Sequence, residues 1–180
     1  RASQPRPGFP HRGTTRDAGD FSVATIVRLA QNAAHTTAFG LRVETRLPNS
    51  TQKKGIGTNT TDLFLAALLS QKFSRLTLLA EIGLGILTAP LETDEQNDVL
   101  TYGLAASHDI SSRLQIAAEI NGYLTTRNLI PAGTEARGVL RAGGRWRSRH
   151  FEAEFSLSRG LTANEGTWGG MVGVGRGVRL

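Results

Sequence analysis

The chain has 180 residues, no cysteine and a formal net charge of +6, from 21 basic and 15 acidic side chains. The absence of cysteine excludes disulfides and thiolate metal sites, and a basic excess that is spread along the chain argues against nucleic acid as a partner. The longest apolar run, Leu63 to Leu69, is far shorter than the roughly 20 residues of a membrane-spanning helix.

Residues 1–18 form a polar segment with three prolines, two glycines and four arginines. This composition offers too little apolar surface for a packed element. We predict an irregular polar arm or an extracellular loop for residues 1–18, and a β-barrel domain for residues 19–180.

Apolar and polar residues alternate with period two through most of the remaining chain. In "AFGLRVETRLP", Phe39, Leu41 and Val43 share one side, while Arg42 and Glu44 share the other. A helix would distribute these charges around its circumference, whereas a strand places them on one face. The same alternation recurs in "RLTLLAEIGLGIL", "RLQIAAEINGYL", "EARGVLRAGGRWR" and "FEAEFSLS".

Two windows, "SVATIVRLAQNAA" and "TDLFLAALLSQ", are also compatible with helices. Their neighbours alternate clearly, so we assign both as strands. The sequence then predicts nine strands, at residues 20–33, 37–47, 59–70, 75–88, 98–107, 113–125, 135–147, 150–159 and 168–180.

Short and long connections alternate between these strands. A repeat follows the same plan, because "SRLTLLAEIG" at residues 74–83 returns as "SRLQIAAEIN" at residues 112–121. We interpret the repeat as a β-hairpin with its loop, in which each copy begins at a short turn and carries one glutamate on a fixed side.

Long antiparallel strands with short turns at one end and long loops at the other are typical of transmembrane β-barrels. The predicted fold is therefore all-β, an antiparallel up-and-down transmembrane barrel with about nine strands visible. Bacterial barrels usually have an even number of strands, so we expect ten or twelve in the complete protein, of which this chain would be the C-terminal part. The alternative is a false strand at residues 20–33 and a barrel of eight.

Sidedness follows from the alternation. The apolar positions are predicted to face lipid: Leu76, Leu78, Ile82, Leu114, Ile116, Ile120, Phe151 and Phe155. The opposite positions are predicted to form a charge network in the lumen: Arg42, Glu44, Arg46, Glu81, Glu119, Arg137, Arg141, Arg145, Glu152 and Glu154.

This network has two interpretations. As a structural network, Arg137 and Arg141 would lie between the strands that carry Glu119 and Glu152 or Glu154, and each cross-strand pair would contribute roughly 0.2–1 kcal/mol. As the lining of a pore, the arginines would favour anions. We favour the structural network, because a barrel of this size has little room left once its side chains are placed.

The stretch from Phe39 to Asp62, "FGLRVETRLPNSTQKKGIGTNTTD", combines an amphipathic strand, Leu-Pro, a polar loop, Gly-x-Gly-Thr and Thr-Asp. It resembles the bacterial outer-membrane proteins named for the MetA pathway of phenol degradation, which are often described as transporters. The resemblance implies an outer-membrane barrel that passes small, in part aromatic, compounds, and it implies no catalytic residues.

Other chemistry has weaker signals. Three histidines, His35, His108 and His150, lie at predicted short turns, where one per hairpin does not make a metal site. "SHD" at residues 107–109 contains the residue types of a catalytic triad, but adjacent strand residues point in opposite directions.

The sequence thus predicts a non-enzymatic, porin-like barrel in the outer membrane of a Gram-negative bacterium, with no cofactor. It would be a narrow channel for small aromatic or anionic compounds or a structural component of an envelope assembly. Its partners would be outer-membrane lipid, with other envelope proteins or further copies of the chain. The alternatives are a soluble lipocalin-like barrel that binds a small ligand and, less favoured, an outer-membrane lipid-modifying enzyme.

Overall fold

The computed structural model describes residues 19–50, 58–90, 95–163 and 165–175. These residues form nine strands and no helix: β1 (Phe21–Gln31), β2 (Thr37–Leu47), β3 (Asp62–Phe73), β4 (Leu76–Thr88), β5 (Gln96–Asp109), β6 (Leu114–Thr125), β7 (Arg137–Arg147), β8 (Glu152–Gly160) and β9 (Trp168–Gly175). None of the described segments forms a helix of the length and apolarity that crossing a membrane would take.

The prediction of nine strands is confirmed, and the alternative in which residues 20–33 are not a strand is wrong. Both helix-compatible windows are strands, because β1 is rich in β-branched residues and β3 pairs along its length with a neighbour on each side. Three predictions lie outside the described residues: the arm at 1–18, the loop motif at 51–57 and the chain end at 176–180.

All nine strands belong to one antiparallel sheet in chain order, from β1 to β9. The up-and-down topology predicted from the sequence is therefore confirmed. The sheet is open: among the described residues β1 pairs only with β2, and β9 only with β8. Closure into a barrel, which the sequence also predicts, is not present in this part of the chain.

The two faces of the sheet differ in character and in curvature. Residues directly opposite each other on neighbouring strands project to the same face, so the ladders place all the charged network residues on one side. This charged face is concave, because its residues from six strands line one cleft of about 440 Å³, among them Arg28 on β1, Arg42 on β2 and Glu119 on β6. The convex face carries most of the exposed apolar side chains of the strands.

Within the described residues, the cluster of buried apolar side chains lies at the loop end of the concave face. Phe64 on β3, Leu87 on β4 and Val99 on β5 are at most 9 % exposed and pack against the partly buried Tyr123 on β6. Apolar side chains thus fill the loop end of the concavity, and the rest of it is lined by charged side chains such as Glu81 together with apolar ones such as Leu68 and Leu79.

The 38-residue repeat matches the strand starts, since β4 begins at Leu76 and β6 at Leu114. The turns before these strands differ in length: residues 74–75 connect β3 to β4, and residues 110–113 connect β5 to β6. Glu81 lies opposite Gly103 of β5, whereas Glu119 lies opposite Ala105, two residues nearer the short turns. The two glutamates share a face but not a level.

Candidate functional site

The concave face carries all ten residues of the predicted charge network. Their positions alternate with the convex residues in every ladder from β2 to β8, as the period-two pattern requires. The network divides into a group nearer the loops, built on β2, β4 and β7, and a group nearer the short turns, built on β6, β7 and β8.

Arg42 is the centre of the group nearer the loops. Its guanidinium donates hydrogen bonds to Glu44 on the same strand and to Glu81 on β4. The side chains of all three are about a quarter exposed or less. A charge held this far from water needs partners, and the fork of the guanidinium supplies one nitrogen to each carboxylate.

Arg46 extends this group towards the loop end. Its Nη2 lies 3.3 Å from Oδ2 of Asp62, a carboxylate that is only 3 % exposed. The guanidinium carbon also lies 5.7 Å from the centre of the Phe64 ring, within cation–π distance. Asp62 is not among the residues predicted from the sequence, although it opposes Arg46 directly in the ladder.

Arg137 has a different partner from the one that the structural interpretation named. It lies on β7 between the strands expected, but its Nη1 is 3.6 Å from Glu165, in the connection between β8 and β9. Glu165 is not among the residues predicted from the sequence, because strand periodicity gives no information about where a loop carboxylate folds back.

The group nearer the short turns follows the predicted cross-strand pattern more closely. Arg141 pairs with Glu119, its direct ladder partner. Arg145 lies 2.6 Å from Glu154 and 3.1 Å from Glu152. Arg147, which was not predicted, also contacts Glu152, at 3.0 Å. These side chains are more exposed than those around Arg42.

A single row of the sheet links the two sides of the concavity. Consecutive ladder partners from β2 to β7 form this row: Arg42, Ala66, Gly83, Thr101, Tyr123 and Arg137. Three polar atoms of the row are buried and have no hydrogen-bond partner within the described protein: Arg42 Nε, Thr101 Oγ1 and Arg137 Nε. All three residues line one cavity of about 470 Å³.

An aspartate just before β1 organises the loop end. Asp20 Oδ1 accepts hydrogen bonds from the backbone amides of Asn49 and Ser50 and from the Ser50 hydroxyl, and Oδ2 accepts from the amides of Thr58 and Asn59. Burial raises the pKa of Asp20, but the Ser50 hydroxyl and the backbone amides outweigh it and hold that pKa well below its usual range.

A second polar cluster at the loop end links β5 to the connection between β6 and β7. The side chain of Asn97, which is fully buried, donates to the Thr134 carbonyl at 3.1 Å and to the Thr134 hydroxyl at 3.0 Å. Thr125 exchanges hydrogen bonds with the same amide. Both clusters connect loop segments to other parts of the chain at the loop end of the concave face, so we assign them a structural role.

The histidines and the Ser-His-Asp sequence do not assemble a reactive site. In β5 the side chains of Ser107 and Asp109 project to the concave face and His108 projects to the convex face, so the three cannot form a relay. Within the described ranges, no three His, Cys, Asp or Glu side chains are grouped so that they could hold a metal ion.

No protein-family model matches the chain, and no curated protein matches it in sequence. The resemblance of residues 39–62 to the phenol-degradation family therefore stays a prediction.

Proposed function

We propose that the chain belongs to a non-enzymatic β-barrel of the Gram-negative outer membrane. It forms either a narrow passage for small compounds or a structural component of an envelope assembly. The proposal includes closure of the sheet into a barrel, with ten or twelve strands in the complete protein, because hydrocarbon leaves no solvent for the unpaired backbone groups of an open edge.

The observation that carries the proposal is the apolar convex face. Large apolar side chains on adjacent strands are more than half exposed there, including Ile82 at 60 %, Leu104 at 60 % and Leu157 at 64 %. Monomeric proteins in water rarely expose contiguous apolar patches above a few hundred Å². Lipid is the environment in which such a face is stable.

Curvature separates the membrane barrel from the lipocalin-like alternative. A soluble up-and-down barrel points its apolar residues inwards and its charged residues outwards. Here the concave side carries Arg42, Glu81 and Glu119, and the convex side carries most of the exposed leucines and isoleucines of the strands. This arrangement supports a barrel whose apolar face is turned towards lipid.

Pairing within the charge network favours the structural interpretation over an anion-selective pore. Each of the five predicted arginines lies within 4.0 Å of at least one carboxylate. A guanidinium that is already neutralised by a neighbouring glutamate attracts a passing anion weakly. We therefore propose that the network mainly holds the curved sheet together.

Paired cysteine variants test the sidedness. The chain has no native cysteine, so Glu119→Cys and Ile120→Cys each provide a unique labelling position on opposite faces. With an environment-sensitive label and nitroxide-bearing lipids in vesicles, we expect quenching at position 120 and little at position 119. Quenching at 119 alone would mean that the barrel is inside out. Folding without detergent or lipid, with quenching at neither position, would support the soluble alternative.

A further inference from the structure

The row from Arg42 to Arg137 has hydrogen-bonding capacity that the described protein does not use. Thr101 is 6 % exposed, and its hydroxyl finds no partner. The Nε–H groups of Arg42 and Arg137, at the two ends of the row, are also buried and have no hydrogen-bond partner within the described protein. Buried donors without acceptors are costly, so a cavity that collects three of them is suited to a molecule with oxygen acceptors.

The charges around the cavity decide which kind of molecule fits. Three arginines line it, Arg42, Arg46 and Arg137, and three glutamates line it, Glu44, Glu81 and Glu165. The formal charges cancel. An anion would approach three carboxylates, and a cation would approach three guanidiniums, so neither gains from the summed field.

The glutamates supply the complementary half of the site. An ionised carboxylate has about four lone-pair positions, and Glu81 and Glu165 each make one ion pair within the described residues. They retain capacity to accept from a hydroxyl. A ligand hydroxyl that donates to a glutamate and accepts from Thr101 or an arginine Nε would satisfy both halves of the lining.

We infer that this row binds a small neutral polyhydroxy compound of monosaccharide size. The cavity volume of about 470 Å³ lies in the range of small-molecule sites, about 300–1,000 Å³. Ala66 and Gly83 leave the floor of the row low between Arg42 and Thr101. The inference deepens the proposed function, because a solute that crosses a barrel built from this chain would pass this row.

A matched set of sugars tests the inference in detergent micelles of the full chain. Glucose, gluconate and glucosamine are similar in size and differ in charge, and saturation-transfer NMR reports the binding of each. We expect glucose to bind about tenfold more tightly than either charged analogue, because a charged group loses hydration on entering the cavity and gains nothing from lining charges that cancel. Tighter binding of gluconate would overturn the inference in favour of an anion site.

Two variants connect the binding to the row. Thr101→Val keeps the side-chain shape and removes the hydroxyl, and we expect about a five- to tenfold loss of glucose affinity. Arg137→Lys keeps the charge beside Glu165 but removes the Nε–H, with a similar loss expected; it serves as the test if Thr101→Val does not fold. Thr77→Val, on the same face near the short turns, should leave the affinity unchanged.

The outcomes separate the inference from the proposed function. If none of the sugars binds to folded protein, or if Thr101→Val and Thr77→Val behave alike, the row holds water alone and the inference fails, whatever the lipid-quenching result. If glucose binds in micelles but Ile120→Cys is not quenched in vesicles, the site stands and the membrane proposal fails.

Discussion

Arg42 on β2 and Glu81 on β4 form a hydrogen-bonded ion pair across the intervening strand β3. Neighbouring strands are about 4.8 Å apart, so a side-chain contact that passes over a whole strand depends on inward curvature and on small residues beneath it. Ala66 of β3 and its ladder partner Gly83 of β4 provide that space. The close packing of this region and the difference between the two faces of the sheet can each be tested.

Replacing Gly83 by alanine is expected to destabilise the sheet. A Cβ at this position would lie 2.3 Å from the carbonyl oxygen of Leu65 and 2.6 Å from Cβ of Ala66. Because the nearest atom belongs to the backbone, Gly83→Ala should lower the free energy of unfolding by about 1–3 kcal/mol. Urea unfolding in detergent, followed by tryptophan fluorescence, measures the change.

Gly173→Ala is the matched control for Gly83→Ala, because its new Cβ would have Cβ of Glu154 as nearest neighbour, at 3.9 Å. We expect a change within about 0.5 kcal/mol there. Equal effects at the two positions would contradict the close packing of β3 against β4.

The Arg42–Glu81 pair should be coupled more strongly than an exposed pair of the same network. Its side chains are 23 % and 22 % exposed, against 49 % and 36 % for Arg147 and Glu152. Double-mutant cycles with glutamine replacements should give a coupling of about 1–3 kcal/mol for the first pair and at most about 1 kcal/mol for the second. The reverse order would show that exposure does not set the strength of these pairs.

Asp20→Asn should destabilise the loop end at neutral pH. The carboxylate accepts from backbone amides of residues 49–50 and 58–59, and an asparagine would direct an NH₂ group at some of these donors. We expect a loss of about 1–3 kcal/mol in unfolding free energy. Asp98→Asn is the control, because Asp98 is an exposed carboxylate with no hydrogen bond or ion pair within the described residues.

The contribution of Asp20 should also depend on pH, in a direction fixed by its lowered pKa. A carboxyl group whose pKa is lower in the folded state stabilises the fold above its unfolded pKa, about 3.9. That stabilisation decreases as the pH falls from about 4 towards the folded pKa. The stability gap between the native chain and Asp20→Asn should be constant from pH 7 to 5 and narrow below about pH 4. A gap that widens in acid would contradict the assignment.

A lysine scan of neighbouring positions tests the lipid-facing surface. Leu104 projects to the convex face, where it is 60 % exposed, and Ala105 projects into the concave cleft. Leu104→Lys should reduce folding into vesicles by about 2–4 kcal/mol, the cost of a lysine near the middle of a bilayer, and Ala105→Lys should cost much less. Equal, small effects at both positions would favour a sheet that is stable in water.

Periodicity predicted the strands and which residues share a face, because both are local properties of the chain. Side chains alternate between the two faces along each strand, so the positions of Arg42 and Glu81 relative to the turns predict that they share a face. Their contact could not be predicted, since it requires the register of three strands and the curvature of β3. Helix-compatible segments such as residues 22–34 were correctly assigned only through their alternating neighbours.

The partners of the network were harder to predict than its members. Arg141 pairs with Glu119 as a direct cross-strand neighbour, which strand order alone makes plausible. Arg137 pairs instead with Glu165 in a connection, and Asp20 collects donors from a loop about 30–40 residues later in the chain. Such contacts depend on how loops fold over the rim, and alternation in the strands carries no signal for that.

The strict chain order of the sheet has a consequence for how the protein assembles. Every ladder among the described residues joins consecutive strands, so each of these pairs forms between neighbouring segments of the chain, and the entropy lost in closing each hairpin is small. Hairpins with short turns, such as the one at residues 74–75 between β3 and β4, can form first. The free edge strand of each hairpin can then pair with the next hairpin. Growth by whole hairpins lets the sheet change its width without altering the register of any ladder already formed.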